Sequence, residues 1–309
     1  MDFYVTVLGS SSATPSNHRG LTSHVVNYDG NYIMFDCGEG TQLQLRRFNI
    51  PMQKINHIFI SHLHGDHFYG LIGLMSTYHL YQRTKPLHIY AHEPLKQIID
   101  IQLQASHTEL SYPFVFHTIP FDYRGTLLNE NDFFIHTFPM LHAIPTNGFV
   151  FHEKKRQRKV NKKAIEGMNI PNEAFSYLKS GRDYIKEDGQ ILSSDQLTTE
   201  PPPSRSYAFC SDTGYNEAML NDIRDVTLLY HEATFMEGDV PSEALSRYHA
   251  TAGDAARIAK KANASQLLLG HFSGRYESLG ELRRQARETF PNTSIAEDGK
   301  RYIVNENKV

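Results

Sequence analysis

The sequence predicts an α/β fold, on three observations. Strand-like and helix-like stretches alternate from "FYVTVLG" (3–9) to "SLGELRRQARETF" (278–290), broken once, between Glu153 and Arg205. His62, His64, Asp66 and His67 crowd into six residues directly after the apolar run "INHIFI" (55–60). Farther on, His142, Asp212 and His271 are each the first ligand-type residue after another apolar run, and strand ends are where open α/β folds collect their sites.

The elements follow in order. "FYVTVLG", "HVVNYD" (24–29) and "NYIMFDC" (31–37) read as strands, with hairpin turn chemistry at Asp29-Gly30-Asn31. A short helix is expected from Gly40 to Phe48, where Leu43 and Leu45 fall near Phe48 and no breaker precedes Pro51. "INHIFI" is a strand, "GLIGLMSTYHLYQ" a buried helix, "PLHIYA" a strand and "EPLKQIIDIQLQASH" an amphipathic helix opened by Glu93-Pro94. Strands recur at "PFVFHTI", "DFFIHTF" and "NGFVFHE". Past Arg205 come the strands "SYAFCSDTG", "DVTLLYHEATF" and "QLLLG" and the helices "TAGDAARIAKKANA" and "SLGELRRQARETF". Thr251 with Asp254 three residues on resembles a capping box, Asp replacing the usual Glu or Gln.

The 309 residues suffice for a sizeable core. A net charge of -3 excludes the strongly basic body of a generic nucleic-acid binder, so a polyanion partner must be gripped locally. No stretch approaches the roughly 20 apolar residues of a membrane span, and "MDFYVTVLGSSSATP" lacks the basic and apolar regions of a signal peptide. The expected location is cytoplasmic, with no membrane partner. Cys37 and Cys210 alone exclude a disulfide framework and a zinc ribbon.

His62 and His64 lie two apart at the end of a predicted strand, where a period of two turns both rings to one side. Asp66 and His67 are expected in a tight turn permitted by Gly65, which aims two more ligands at a neighbouring point. That is room for two metals. Nitrogen and oxygen ligands without thiolate suit zinc best, with manganese or iron as alternatives. Four ligands cannot complete two shells, and His142, Asp212 and His271 supply the rest. Four such residues would be costly to leave unpaired beside a buried strand. His18, His57, His79, His88, His92, His107, His117, His136 and His152 stand alone and read as structural.

The pattern H-x-H-x-D-H at His62 to His67, with later single ligands at His142, Asp212 and His271, resembles the metallo-β-lactamase superfamily. The resemblance implies a four-layer αββα sandwich, two sheets between layers of helices, but does not choose the reaction. "VLGSSSATPSNHRG" (7–20), "FDCGEGTQLQL" (35–45), "HEATF" (231–235), "YHATAGDAARIA" (248–259) and "LGHFSGRY" (269–276) are together similar to ribonuclease Z, the endonuclease family that trims the 3′ trailer from precursor tRNA. That resemblance implies one zinc at His62, His64 and His142, a second at Asp66, His67 and His271, and Asp212 bridging them. The cofactor would be two Zn2+ per subunit, with Mn2+ or another divalent metal as the alternative. It further implies that Asp66 takes the proton of the attacking water, and that His249, oriented by Glu232, serves the departing ribose 3′-oxygen. The cut would follow the discriminator base and leave a tRNA 3′-hydroxyl and a trailer 5′-phosphate. A homodimer is implied as well.

The whole chain, 1–309, reads as one domain, with residues 153–205 inserted as a protruding arm. The insertion opens with "EKKRQRKVNKK", in which Lys154, Lys155, Arg156, Arg158, Lys159, Lys162 and Lys163 make seven of eleven residues basic. Such a run is usually a solvated face; on a slightly acidic protein it reads as a phosphate grip. Lys154, Lys155, Arg156, Arg158, Lys159 and, near the last ligand, Arg275 are therefore the candidate RNA contacts. Phe175, Tyr177 and Tyr184 read as packing for the arm's tip. The resemblance implies an arm that holds tRNA away from the centre, yet the Gly-Pro-rich stretch usual in bacterial members is reduced here to Pro171 and Gly181. Two other readings compete. A thioesterase of the glyoxalase II type, or a small phosphodiesterase, leaves the basic arm without a role. An RNA-binding protein with structural metals would call for closed, thiolate-rich sites.

Overall fold

Asp29 and Gly30 both take left-handed backbone, φ 48° and 86°, and this turn folds the second strand onto the third, as the Asp-Gly pair predicts. The structure, a computed structural model, describes residues 1–16, 18–241 and 248–305; Asn17, within the stretch 7–20, lies outside them. In chain order the strands are β1 (Phe3–Gly9), β2 (Ser23–Tyr28), β3 (Asn31–Phe35), β4 (Ile55–Phe59), β5 (Leu87–Ala91), β6 (Phe114–Thr118), β7 (Gly125–Asn129), β8 (Phe133–Pro139) and β9 (Asn147–Glu153). Short pairs follow as β10 (Lys159–Val160), β11 (Tyr184–Ile185), β12 (Ile191–Leu192) and β13 (Thr198–Thr199). The last are β14 (Ser206–Cys210), β15 (Leu228–Glu232), β16 (Gln266–Gly270), β17 (Thr293–Ile295) and β18 (Arg301–Ile303).

Two seven-stranded sheets result, ordered β18-β1-β2-β3-β4-β5-β6 and β17-β16-β15-β14-β9-β8-β7. The period of two divides each strand between faces. Met34, Ile58 and Ile89 turn outward onto the helices Thr41–Arg47, Gly70–Leu80 and Pro94–Ala105, meeting Leu45, Leu71, Leu74, Met75, Leu95 and Ile99. Phe35 and Phe59 turn inward instead: Phe35 stacks on Phe149 and Phe209 at 5.6 Å each, and Phe3 meets Phe151 at 4.9 Å. Aromatic side chains thus fill the space between the sheets. On the far side, the helices Ala252–Lys261 and Gly280–Thr289 make the crossovers between β15, β16 and β17, which are parallel. The capping box is present: Thr251 Oγ1 accepts from the Asp254 N–H at 3.1 Å, and the Asp254 carboxylate accepts from the Thr251 N–H at 3.0 Å. The four-layer αββα sandwich is the observed architecture.

Outside the insertion, three short strands, β7, β17 and β18, go beyond the sequence expectation, and within it the two-residue strands β10, β11, β12 and β13 do; with five residues or fewer, none displays a clear period. "GLIGLMSTYHLYQ" is helical over Gly70–Leu80 but not buried all round: Leu71, Leu74, Met75 and Tyr78 face the core and Leu80 is 71% exposed.

The chain separates into two compact units, one of Met1–Leu128, Ile135–Phe151 and Ser206–Val309, the other of Asn129–Phe134 and His152–Arg205. The second has a small core of its own, Ala174, Leu178, Leu192 and Leu197, against which Tyr184 packs. Apart from Ala174 and Leu178, one turn apart on the helix Ala174–Lys179, its core residues come singly from short elements, too few to display a period in sequence. Beneath the basic run lies the buried carboxylate of Glu153, which accepts from Arg205 Nε and Arg156 Nε at 3.0 Å each. Arg158 donates to Thr198 at 2.7 Å and pairs with Asp195 at 2.8 Å and with Glu200. Lys155 pairs with Glu200 at 3.2 Å, and Lys154 donates to the Glu130 carbonyl. Much of the run thus serves this unit's own fold. Lys159, Lys162 and Lys163 form no ion pair among the described residues.

Candidate metal centre

The candidate ligands gather at the C-terminal ends of β4, β8, β14 and β16. β4 stops at Phe59, earlier than expected, but the chain runs on extended to His64, at φ -72° and ψ 144°. Asp36 pins this stretch by accepting from the Ser61 N–H at 2.7 Å and the Ser61 hydroxyl at 2.8 Å. Asp66 and His67 do not lie in a tight turn. They occupy one helical turn, Gly65–Phe68, and glycine serves there for space: a Cβ on Gly65 would stand 2.2 Å from the Tyr69 ring. Asp212 lies two residues past β14, and His271 directly follows β16 in left-handed backbone, φ 56°.

Donor atoms converge in two main sets, His62, His64, His142 and Asp212 in one, and Asp66, His67 and His271 in the other; Asp212 and His271 also converge with His249. In the first, His64 Nδ1 lies 3.1 Å from His62 Nε2 and 3.2 Å from His142 Nε2. Asp212 Oδ2 is 3.6 Å from His62 and 3.8 Å from His142. In the second, Asp66 Oδ2 is 3.3 Å from His67 Nε2 and 3.4 Å from His271 Nε2. Asp212 Oδ1 is 3.2 Å and 3.1 Å from the same two nitrogens. One carboxylate therefore presents one oxygen to each set.

The residues fit divalent cations. Donors 2.0–2.1 Å from a tetrahedral ion lie about 3.3 Å from one another, and the separations here run from 3.1 to 3.8 Å. His67 Nε2 is buried without a hydrogen bond although it faces two carboxylates, an arrangement that a cation between them would satisfy. Neighbouring groups set the rings' orientations. His67 Nδ1 lies 2.7 Å from Asp36, His62 Nδ1 3.0 Å from Ser61 Oγ, and His271 Nδ1 3.0 Å from Thr234 Oγ1. The Ala13 N–H donates to Asp66 Oδ2 at 2.8 Å.

Beside this centre, Glu232, the last residue of β15, is fully buried. It accepts from the Thr213 N–H at 2.7 Å and lies 2.9 Å from His249 Nδ1. His249 is also 4.0 Å from Asp212. Burial alone would lower the His249 pKa, but the Glu232 carboxylate outweighs it and holds the imidazole up at about 9. The N-terminus of the helix Ala252–Lys261 follows closely and would disfavour this charge, which Glu232 offsets. Arg275 lies over the Phe235 ring at 5.4 Å, 3.5 Å from Asp239. Sequence reasoning assigned no role to Asp36, Ser61, Thr234 or Ala13. Asp36 alone carried a signal, an acid directly after the apolar strand "YIMF", placed as the other ligands are.

A family model described as Anti-Pycsar protein Apyc1 matches residues 3–156. A protein named Ribonuclease Z from Bacteroides fragilis is 38% identical over 296 residues, 96% of this chain and 97% of that one. The crystal structure of human tRNase Z, short form, superposes with a TM-score of 0.72 at 27% identity, covering 98% of this chain and 99% of that one. A metallo-beta-lactamase fold protein, YhfI from Bacillus subtilis, shares the fold at a TM-score of 0.67 and 19% identity, covering 98% of this chain and 100% of that one.

Proposed function

Because this chain belongs to the ribonuclease Z family, we propose that it is a metal-dependent endoribonuclease that cuts precursor tRNA after the discriminator base, leaving a tRNA 3′-hydroxyl and a trailer 5′-phosphate. What carries this reading is identity spread over nearly the full length of both chains; the geometry supplies the means.

In this reading His62, His64 and His142 would hold one zinc, Asp66, His67 and His271 a second, and Asp212, whose oxygens lie 3.6 Å from His62 and 3.2 Å from His67, would serve both. Two divalent cations, once bound, would polarise the scissile phosphate and lower the pKa of the attacking water. Asp66, anchored by the Ala13 N–H, takes that water's proton. His249 directs Nδ1 to Glu232 at 2.9 Å, leaving Nε2 to protonate the departing ribose 3′-oxygen. Glu232 acts through His249, fixing its orientation. The inserted unit, residues 153–205, grips the tRNA through its phosphates, for which Lys159, Lys162 and Lys163, which form no ion pair among the described residues, are the available basic groups.

Zinc as the metal, a homodimer and a cytoplasmic location belong to the same proposal. No helix among the described residues is long and apolar enough to cross a membrane. The test is incubation with a precursor tRNA bearing a short 3′ trailer, with and without chelator, and mapping of the new ends. A single chelator-sensitive cut leaving a 3′-hydroxyl is expected. Binding without cleavage, by protein holding two metals per chain, would overturn the reading.

A further inference from the structure

Tyr248 immediately precedes His249 and is held in left-handed backbone, φ 55°, with 45% of its surface exposed. That conformation is costly for a residue with a Cβ, and such outliers concentrate where the surroundings hold them for function. Here its carbonyl is turned to within 3.5 Å of His142 Nδ1. The neighbouring apolar residue is Leu141, also part-exposed, at 40%. Its loop is tied down by the Gly214 N–H, which donates to the Leu141 carbonyl at 2.9 Å, and by the Thr213 hydroxyl, which accepts from the Leu141 N–H at 3.2 Å. Gly214 lies between the two side chains: a Cβ there would stand 3.4 Å from Tyr248 Cβ and 3.7 Å from Leu141 Cδ2. An aromatic ring and an isobutyl group are thus presented together beside the candidate metal centre, the one next to a carbonyl that approaches His142, the other on a loop held by the two residues that follow Asp212. The Tyr248 ring packs on no other aromatic ring among the described residues.

The position follows from the chemistry already assigned, and the inference rests on that reading. If His249 serves the leaving 3′-oxygen, the nucleotide bearing that oxygen lies next to His249, and its base lies next to Tyr248. This base has no Watson–Crick partner at the cut, so one of its faces is open to stacking. We propose that Tyr248, flanked by Leu141, is the stacking platform for the base whose 3′-oxygen departs. Because every base has a π-face, the contact fixes the position of the cut without selecting a sequence. Tyr248 is then a determinant of where the cut falls.

The test combines the variants Tyr248→Ala and Tyr248→Phe with two precursor tRNAs, one natural and one abasic at the nucleotide before the cut, measuring kcat, KM and the cut position. Tyr248→Ala should raise KM for the natural substrate about ten- to a hundredfold and spread the cut over neighbouring bonds. Tyr248→Phe should restore both. The wild-type protein should show the same penalty on the abasic substrate, and Tyr248→Ala should add little to it. Equal losses from Tyr248→Ala on both substrates would overturn the platform. If Tyr248→Ala proves unstable by its melting temperature, the wild-type protein decides alone: an unchanged KM and cut position on the abasic substrate overturns the proposal. Failure of the wild-type protein to cut the natural substrate would sink the trimming reading instead, a separate result.

Discussion

Nδ1 of His67 stands 2.7 Å from Oδ2 of Asp36, and neither side chain has any exposed surface. Asp36 thereby places the proton of His67 on Nδ1 and turns Nε2 toward Asp66 and Asp212. Its other oxygen holds the Ser61 N–H, so one carboxylate orients a candidate ligand and pins the strand exit that carries two more candidates, His62 and His64. Asp36→Asn should weaken metal binding about 10- to 100-fold, measured by competition with a chromophoric chelator. Unchanged affinity would mean that packing alone orients His67.

Asp212 belongs to the set of His62, His64 and His142 and lies 3.2 Å from His67 and 3.1 Å from His271 of the other, whereas His64 belongs to one set. Asp212→Ala should therefore deplete both metals and His64→Ala chiefly one, as read by metal analysis of protein dialysed against buffer. Loss of a single equivalent from Asp212→Ala would sink its bridging role.

Glu232 meets His249 at 2.9 Å, and Glu232 belongs to none of the convergent donor groups among the described residues. Glu232→Gln should retain both metals and lower kcat by about 100- to 10,000-fold, the span of a lost general acid or base. Full kcat at full metal content would remove the dyad from the mechanism.

Glu153 gives a pH dependence apart from the metal centre. Burial pushes its pKa up, but Arg205 and Arg156 more than reverse this and hold it at about 2, below the ordinary 4.5. A carboxylate depressed on folding stabilises fully above its unfolded pKa, and that contribution is lost as pH falls from about 4.5 through about 2. The stabilisation is on the order of 3 kcal/mol. Glu153→Gln should expose residues 153–205 to limited proteolysis at pH 7 and flatten the onset of cleavage by an acid-tolerant protease below about pH 5. Identical digestion of both proteins across this range would contradict it.

Neutralising Lys159, Lys162 and Lys163 together should weaken tRNA binding and reduce the slope of log K against log salt by about 0.7–0.9 for each phosphate no longer gripped. Arg158→Gln should act differently, loosening the inserted unit by removing the contacts of Arg158 with Asp195, Thr198 and Glu200. An unaltered slope in the triple variant would place the grip elsewhere.

Features written within a few residues were legible from the chain alone. The H-x-H-x-D-H cluster, the Asp29-Gly30 turn and the Thr251–Asp254 cap depend on backbone geometry over two to six positions, which every chain shares. The single ligands could be placed because an apolar run followed by one polar residue marks a strand end. The helical turn around Asp66 was not legible, since the need for glycine at position 65 comes from the Tyr69 ring. Nor was the fate of Arg156 and Arg158, whose acidic partners Glu153, Asp195 and Glu200 are partly remote in sequence.

By itself, then, the sequence determined which residue types were available to bind metal and at which strand ends they stood. Tertiary structure decided what each one faces. His271 and Asp66 approach to 3.4 Å across 205 residues, and Asp212 divides its oxygens between two sets, because two sheets packed through their aromatic faces bring the ends of four strands to one place. Proximity at that range depends on how whole layers pack, and no local pattern encodes it.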